Sequence, residues 1–178
     1  MSIAIGDTAP GFRLPTTDGG EASLEGLAGA PAVVVAFWCN HCPYVRAWEE
    51  RFDAIAREYA GRGVATVAIC ANDAESHPGD SFEAMAERAA ERGYGFPYAR
   101  DDAQVVPRAY GAERTPEVFV LDADRRLAYH GAIDDSTDPD AVTLHHLRAA
   151  LDAVLAGEMP ERAETPAVGC TIKWRRGG

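Results

Sequence analysis

Seven apolar residues in a row, Ala32-Val33-Val34-Val35-Ala36-Phe37-Trp38, end at Cys39, and an amphipathic stretch begins five residues later at Tyr44. A short continuous apolar run rich in valine predicts a strand buried on both faces. From Tyr44 to Ala60 the period changes. Tyr44, Val45, Trp48, Phe52, Ile55 and Tyr59 recur at spacings of three and four, with Glu49, Glu50, Arg51 and Arg57 between them. That predicts a helix with one core-facing stripe, stopped by Gly61-Arg62-Gly63. Residues 64–71 read as a second buried strand, parallel to the first with the helix as crossover.

The flanking pattern is shorter in period and richer in turns. Residues 9–15 lead through Thr16-Thr17-Asp18-Gly19-Gly20 to residues 21–23, which predicts a short strand, a turn and a second strand, with a brief helix over 23–27. Residues 72–80 are polar loop. Asp80 and Glu83 are expected to cap a helix that runs to about Arg92. A short strand follows over 96–99, then a short helix over 101–110 that Pro107 is expected to break or kink. Glu117 to Leu121 and Arg126 to His130 predict two strands joined by Asp122-Ala123-Asp124-Arg125. A last helix is expected over 142–156, carrying Leu144, Leu147, Leu151 and Leu155. The tail, with Pro160, Pro166 and Gly169, has no periodicity of its own. The expected architecture is α/β, with parallel strands before antiparallel ones and helices on both faces of a mixed sheet.

At 178 residues, 47% hydrophobic and 25% charged, the chain is expected to form one domain, its core at about 30–156 and a tail at 157–178. No apolar run approaches the roughly 20 residues that span a membrane. The start, Met-Ser-Ile-Ala-Ile-Gly-Asp, lacks the basic and apolar regions of a secretory leader, so a cytoplasmic location is expected. A net charge of −11 argues against a nucleic-acid partner, because phosphate binding needs a basic surface. The basic cluster Lys173, Arg175 and Arg176 reads as a solvated tail.

The chemistry lies at the junction of strand and helix. The chain has four cysteines, Cys39, Cys42, Cys70 and Cys170, too few for a disulfide-stapled scaffold. Cys39-Asn40-His41-Cys42 places two of them three apart, where helix amides stabilise a thiolate. Pro43 lacks an N–H and belongs in the first helical turn. With Asn40 as the expected N-cap, Cys39 sits just ahead of the free amides and is the expected nucleophile; Cys42, inside the first turn, closes the disulfide. His41, if protonated, would stabilise the Cys39 thiolate and make the pair more oxidising. Trp38 is expected to flank the dithiol as an apolar lid. Cys70, ending a buried strand, reads as core. Cys170 is a candidate resolving or regulatory thiol, with Ile172 and Trp174 available to dock the tail. Asp134-Asp135 reads as a solvated loop, and His145-His146 as residues on opposite sides of a helix.

Trp38-Cys39-Asn40-His41-Cys42, Thr115-Pro116 ahead of Val118-Phe119-Val120, and the closing hairpin and helix together resemble the thioredoxin superfamily. Pro10-Gly11-Phe12-Arg13-Leu14-Pro15 with Ser23-Leu24, and the long segment between Cys42 and Pro116, resemble its peroxiredoxin and membrane-anchored thioredoxin-like branch. The run Cys-Asn-His-Cys-Pro-Tyr-Val and Gly169-Cys170-Thr171-Ile172-Lys173-Trp174 are similar to a bacterial group of peroxiredoxin-like, AhpC/TSA-type redoxins. The resemblance implies a thioredoxin-like fold and a cis-proline at Pro116 beside the dithiol, opening a backbone edge to a substrate strand. Arg114 departs from that group, where a cysteine often precedes the Thr-Pro; a disulfide through that position is absent here.

The expected function is thiol-disulfide oxidoreductase, with protein or small-molecule disulfides as substrates, a cellular thiol system as electron source, and no cofactor. In a peroxidase reading Cys42 attacks peroxide, Arg114 polarises it, and Cys39 or Cys170 resolves; Cys39 then stands where peroxiredoxins carry threonine. A third reading, zinc or copper binding through Cys39, Cys42 and either His41 or a remote thiol, lacks a second ligand pair at the usual spacing.

Overall fold

The computed structural model describes residues 2–177. Its centre is a sheet of five strands. β3 (Val33–Phe37) lies in the middle, parallel to β4 (Ala65–Cys70), which is parallel to β5 (Tyr98–Arg100). On its other side β3 is antiparallel to β7 (Glu117–Leu121), which continues to β8 (Leu127–Gly131). β3 is apolar throughout because both sheet faces are covered, and every one of its residues is buried. Outside this sheet the expected N-terminal hairpin forms from β1 (Arg13–Pro15) and β2 (Glu21–Ser23).

Four helices surround the sheet. α1 (Pro43–Ala60) buries Val45, Trp48, Phe52, Ile55 and Tyr59 as the stripe predicts, while Tyr44 at its first turn is 38% exposed. The even-numbered side of β3, with Val34 and Ala36, packs on this helix; Val33, Val35 and Phe37 face a second cluster with Phe119, Tyr110 and Leu127. α2 (Phe82–Arg92) starts later than expected. Ser81, not Asp80, is its cap, the hydroxyl accepting from the Ala84 amide, and Asp80 ends a preceding 3₁₀ turn at Pro78–Asp80. Gly93, at φ 62°, takes the left-handed position that ends α2.

α3 (Val105–Tyr110) is not broken by Pro107, which lies in the first turn where its missing amide has no helical partner to lose. α4 (His146–Leu155) is shorter than expected. His145 is its N-cap, residues 139–141 form a 3₁₀ turn, and Leu144 is exposed at 40%. The expected solvated Asp134 is instead buried. It accepts from Trp48 Nε1 at 2.7 Å and pairs with Arg51, fixing the loop to α1, while Asp135 stays exposed and accepts from the Thr143 amide.

Two strands carry no sequence pattern at all. β6 (Arg114–Thr115) and β9 (Cys170–Thr171) pair antiparallel, bringing the tail back across the end of β7. Tail anchors lie on both sides of that bridge. Thr165 shares a hydrogen bond with Tyr129 Oη at 2.6 Å, and Ile172 is buried with its amide donating to the Glu113 carbonyl. Trp174 remains partly exposed beneath Arg108, whose guanidinium lies 4.4 Å from the ring. No described helix is long and apolar enough to cross a membrane.

Candidate active site

The strand β3 ends at Phe37, and the chain turns through residues 38–42 into α1. Helix start and expectation differ here. Asn40 does not cap α1: Cys42 is the N-cap residue, extended at φ −68° and ψ 124°, with Pro43 opening the first turn as expected. Asn40 is buried as a structural strut. Its amide donates to Asp80 Oδ1 at 2.8 Å, its side-chain nitrogen to the Gly79 carbonyl at 2.9 Å, and its oxygen accepts from Tyr98 Oη at 2.8 Å. Those three bonds use the backbone donor and both ends of the side-chain amide, and they tie Asn40 to Gly79, Asp80 and Tyr98 rather than to the first turn of α1.

Both cysteines are almost closed off, Cys39 at 3% and Cys42 at 5% exposure. Trp38 lies beneath them rather than over them. It is fully buried, its ring 4.7 Å from Phe52 and tilted by 32° to it, and its indole N–H donates to Tyr94 Oη. Tyr94 in turn donates to Glu49, a buried carboxylate held by Arg88 and Arg92. The expected lid is a floor.

Thr115 supplies the other wall. The Thr115–Pro116 peptide is cis, and Thr115 meets both sulfurs: Oγ1 is 3.3 Å from Cys39 Sγ, and its carbonyl oxygen is 3.3 Å from Cys42 Sγ. Cys170, opposite Thr115 in the β6–β9 pair, brings its sulfur to 2.7 Å from Cys42. All four cysteines are free thiols.

The surroundings drive the two paired sulfurs apart in acidity. A hydrogen bond from the Cys39 thiol pulls Cys42 down to about 4; burial opposes this, and the Cys170 thiol and the Val45 amide in the first turn of α1 support it. Cys39 moves the other way, well above the ordinary thiol range. Its hydrogen bond to Cys42 favours the protonated form, and burial and the nearby Asp80 charge add to that. As a thiol Cys42 donates to the Thr115 carbonyl; ionised, it accepts from the Cys39 and Cys170 thiols and from the Val45 and Cys170 amides. Cys170 is pushed up to about 11, by burial first and then by its bond to Cys42.

His41 is exposed, with its ring resting on Gly79, where an added Cβ would meet Nε2 at 2.1 Å. Arg114 is exposed and donates to the Gly169 carbonyl at 3.0 Å, so it is engaged with the tail. Cys70 is fully buried and pushed up to about 12 by that burial, in keeping with a core thiol.

Sequence reasoning missed the group that holds the loop. Asp80 Oδ2 accepts from Asn72 Nδ2 at 3.0 Å, Asn72 Oδ1 accepts from the Lys173 amide at 2.9 Å, and Arg100 donates to the carbonyls of Asp80 and Asn72. A buried polar chain therefore runs from the cysteine loop through Asp80 and Asn72 to the tail. Its members lie in the polar stretch 72–80 and in β5, and only their burial identifies them.

Residues 4–147 match the redoxin family model, so the chain belongs to the redoxin family, and its fold is that of the thioredoxin superfamily. A hypothetical protein of Sinorhizobium meliloti 1021 is 42% identical with a TM-score of 0.93, over 99% of this chain and 98% of that one. An uncharacterized conserved protein of Geobacillus kaustophilus is 39% identical, also at TM-score 0.93, over 98% and 94%. A thiol:disulfide interchange protein of the thioredoxin family from Chlorobium tepidum TLS shares the fold at TM-score 0.64 and 20% identity, over 89% and 99%. No curated protein matches the chain. Family and fold make this a thiol-redox protein of the oxidoreductase type.

Proposed function

We propose that the protein is a thiol-disulfide oxidoreductase whose working pair is Cys39 and Cys42. The observation that carries this is the pair of buried thiols at the entry to α1 that share Thr115, its Oγ1 3.3 Å from Cys39 and its carbonyl oxygen 3.3 Å from Cys42, in surroundings that favour the thiol at Cys39 and the thiolate at Cys42. A single thiolate with a protonated thiol beside it is the arrangement that attacks a disulfide and then resolves the mixed disulfide.

The sequence expectation gave the attack to Cys39. The helix beginning at Pro43 makes Cys42 its N-cap and favours Cys42 instead, with the Cys39 thiol, the Cys170 thiol and the Val45 amide supporting its thiolate. In this reading the Cys42 thiolate attacks one sulfur of a substrate disulfide and expels the other as thiolate. Cys39 then gives up its proton, attacks the Cys42 sulfur, and releases the substrate thiol. The pair ends oxidised and the substrate reduced, so a cellular thiol must return two electrons for each cycle.

Two observations weigh against the peroxidase reading. Cys39 stands where peroxiredoxins carry a threonine three residues before the peroxidatic cysteine, and Arg114 is exposed with one guanidinium nitrogen donating to the Gly169 carbonyl. For metal binding, no cluster of three or more His, Cys, Asp or Glu side chains suited to an ion occurs among the described residues. The test is turnover of a disulfide substrate such as insulin against turnover of hydrogen peroxide, in the wild type, Cys39→Ser and Cys42→Ser. Disulfide reduction lost in both variants supports the pair; a fast peroxide reaction that survives Cys39→Ser and not Cys42→Ser would establish the peroxidase instead. Trapping by Cys39→Ser leaves the substrate on Cys42, and trapping by Cys42→Ser alone would return the attack to Cys39.

A further inference from the structure

The tail that covers the dithiol is built to hold its cysteine there. Cys170 stands in register opposite Thr115, the residue that touches both paired sulfurs. Gly169 makes that approach feasible: an added Cβ would sit 2.2 Å from the Thr115 carbonyl oxygen. On the upstream side Arg114 holds the Gly169 carbonyl and Thr165 is bound to Tyr129 and the Ala132 amide. On the downstream side Ile172 is buried, and the Lys173 backbone bonds to Asn72, Asp73 and Gln104. A thiol tied down from both directions with its sulfur 2.7 Å from that of Cys42 is not a chance neighbour.

We propose that Cys170 is a third redox thiol, which takes over the disulfide from Cys39–Cys42 and carries it as Cys42–Cys170. The step balances without any further reagent. Ionised Cys170 attacks the Cys42 sulfur of the Cys39–Cys42 disulfide, the Cys42–Cys170 bond forms as the Cys39–Cys42 bond breaks, and Cys39 leaves with the electron pair and picks up the proton that Cys170 lost. The oxidation level of the protein is unchanged. The oxidising equivalent has moved from two nearly closed sulfurs to one that is half-buried. An external thiol that then attacks the Cys170 sulfur expels Cys42, the best leaving group of the three by its place at the helix terminus. Cys170 is in this way the outlet through which the reductant reaches the buried pair.

The inference rests on the Cys39–Cys42 reading, and the experiment separates the two. The full chain is oxidised with substoichiometric diamide, quenched in acid, alkylated with N-ethylmaleimide and mapped by mass spectrometry without reduction. The expected wild-type result is a 42–170 linked peptide with Cys39 alkylated, alongside the 39–42 peptide. Cys170→Ser should hold only 39–42, and its reduction by dithiothreitol should be about tenfold slower than that of the wild type. Gly169→Ala, which pushes the tail off Thr115, should lower the 42–170 fraction about tenfold and keep 39–42. Absence of the 42–170 link in the wild type, or equal reduction rates with and without Cys170, overturns this inference and leaves the dithiol reading intact. Absence of 39–42 in Cys170→Ser overturns the dithiol reading itself.

Discussion

Cys42 and Cys70 lie beside neighbouring parallel strands of one sheet, both buried, yet their surroundings push them in opposite directions. Cys70 ends β4 fully buried, and that burial, with the nearby Asp80 charge, raises it to about 12 against the opposing Asn72 amide, Arg100 at 3.7 Å and Tyr98. Cys42, five residues past the end of β3, is lowered to about 4 despite being nearly as buried. Burial alone therefore does not decide thiol chemistry in this molecule. At Cys42 the donors from Cys39 and Val45 at the β3–α1 junction and from Cys170 in the tail outweigh burial; at Cys70 burial outweighs the donors.

The sharpest way to break that comparison is substitution of each sulfur. Cys42→Ser should lower disulfide-reducing activity on the order of 10³-fold or more, as loss of a nucleophile does, while Cys70→Ser leaves it within about twofold. Comparable losses in both would mean that burial, not the helix terminus, governs the site.

The pH dependence of stability gives the second test, with opposite signs for the two thiols. Cys42 is depressed in the folded state, so its contribution is present above the ordinary thiol value of about 8.5 and is lost as pH falls toward about 4. Cys70 is raised, so its contribution is present below about 8.5 and is lost as pH rises toward about 12. Urea midpoints of the wild type and each serine variant across pH should differ in those two windows. A Cys42→Ser difference confined to alkaline pH would reverse the assignment.

The polar chain behind the loop gives a smaller effect. Asp80→Ala leaves the Asn40 amide and the Asn72 side chain without their acceptor in a buried position, which should cost about 1–3 kcal/mol in urea unfolding. It should also loosen the tail through Lys173, seen as faster alkylation of Cys170. A cost below about 0.5 kcal/mol would show that the loop does not depend on this acceptor.

His41→Gln is the smallest. The ring is exposed, so the reduction potential of the pair should change by less than about 30 mV, the equivalent of roughly 1.4 kcal/mol. A larger fall, with a matching rise in thiol pKa, would give His41 a direct part in stabilising the thiolate.

Much of this molecule is legible before any coordinates. The apolar run 32–38 and the three-four stripe from Val45 to Tyr59 determined β3 and α1, because burial on two faces and burial on one stripe leave different periods in a sequence. Pro43 in the first turn followed from its missing donor, and the hairpin after Thr115-Pro116 from its turn residues. Other features follow from closure of the whole chain. Cys170 reaches Cys42 across 128 residues through a bridge of two residues per strand, too short to carry a period. Asp80 reads locally as a helix cap and serves instead as the acceptor for Asn40, 40 residues away, because Ser81 caps α2. Which cysteine takes the N-cap position of α1 also waited on the fold. Local sequence records the repeating environment of an element, but an acceptor, a glycine contact and a third thiol at one point in space are set by where separate elements come to rest.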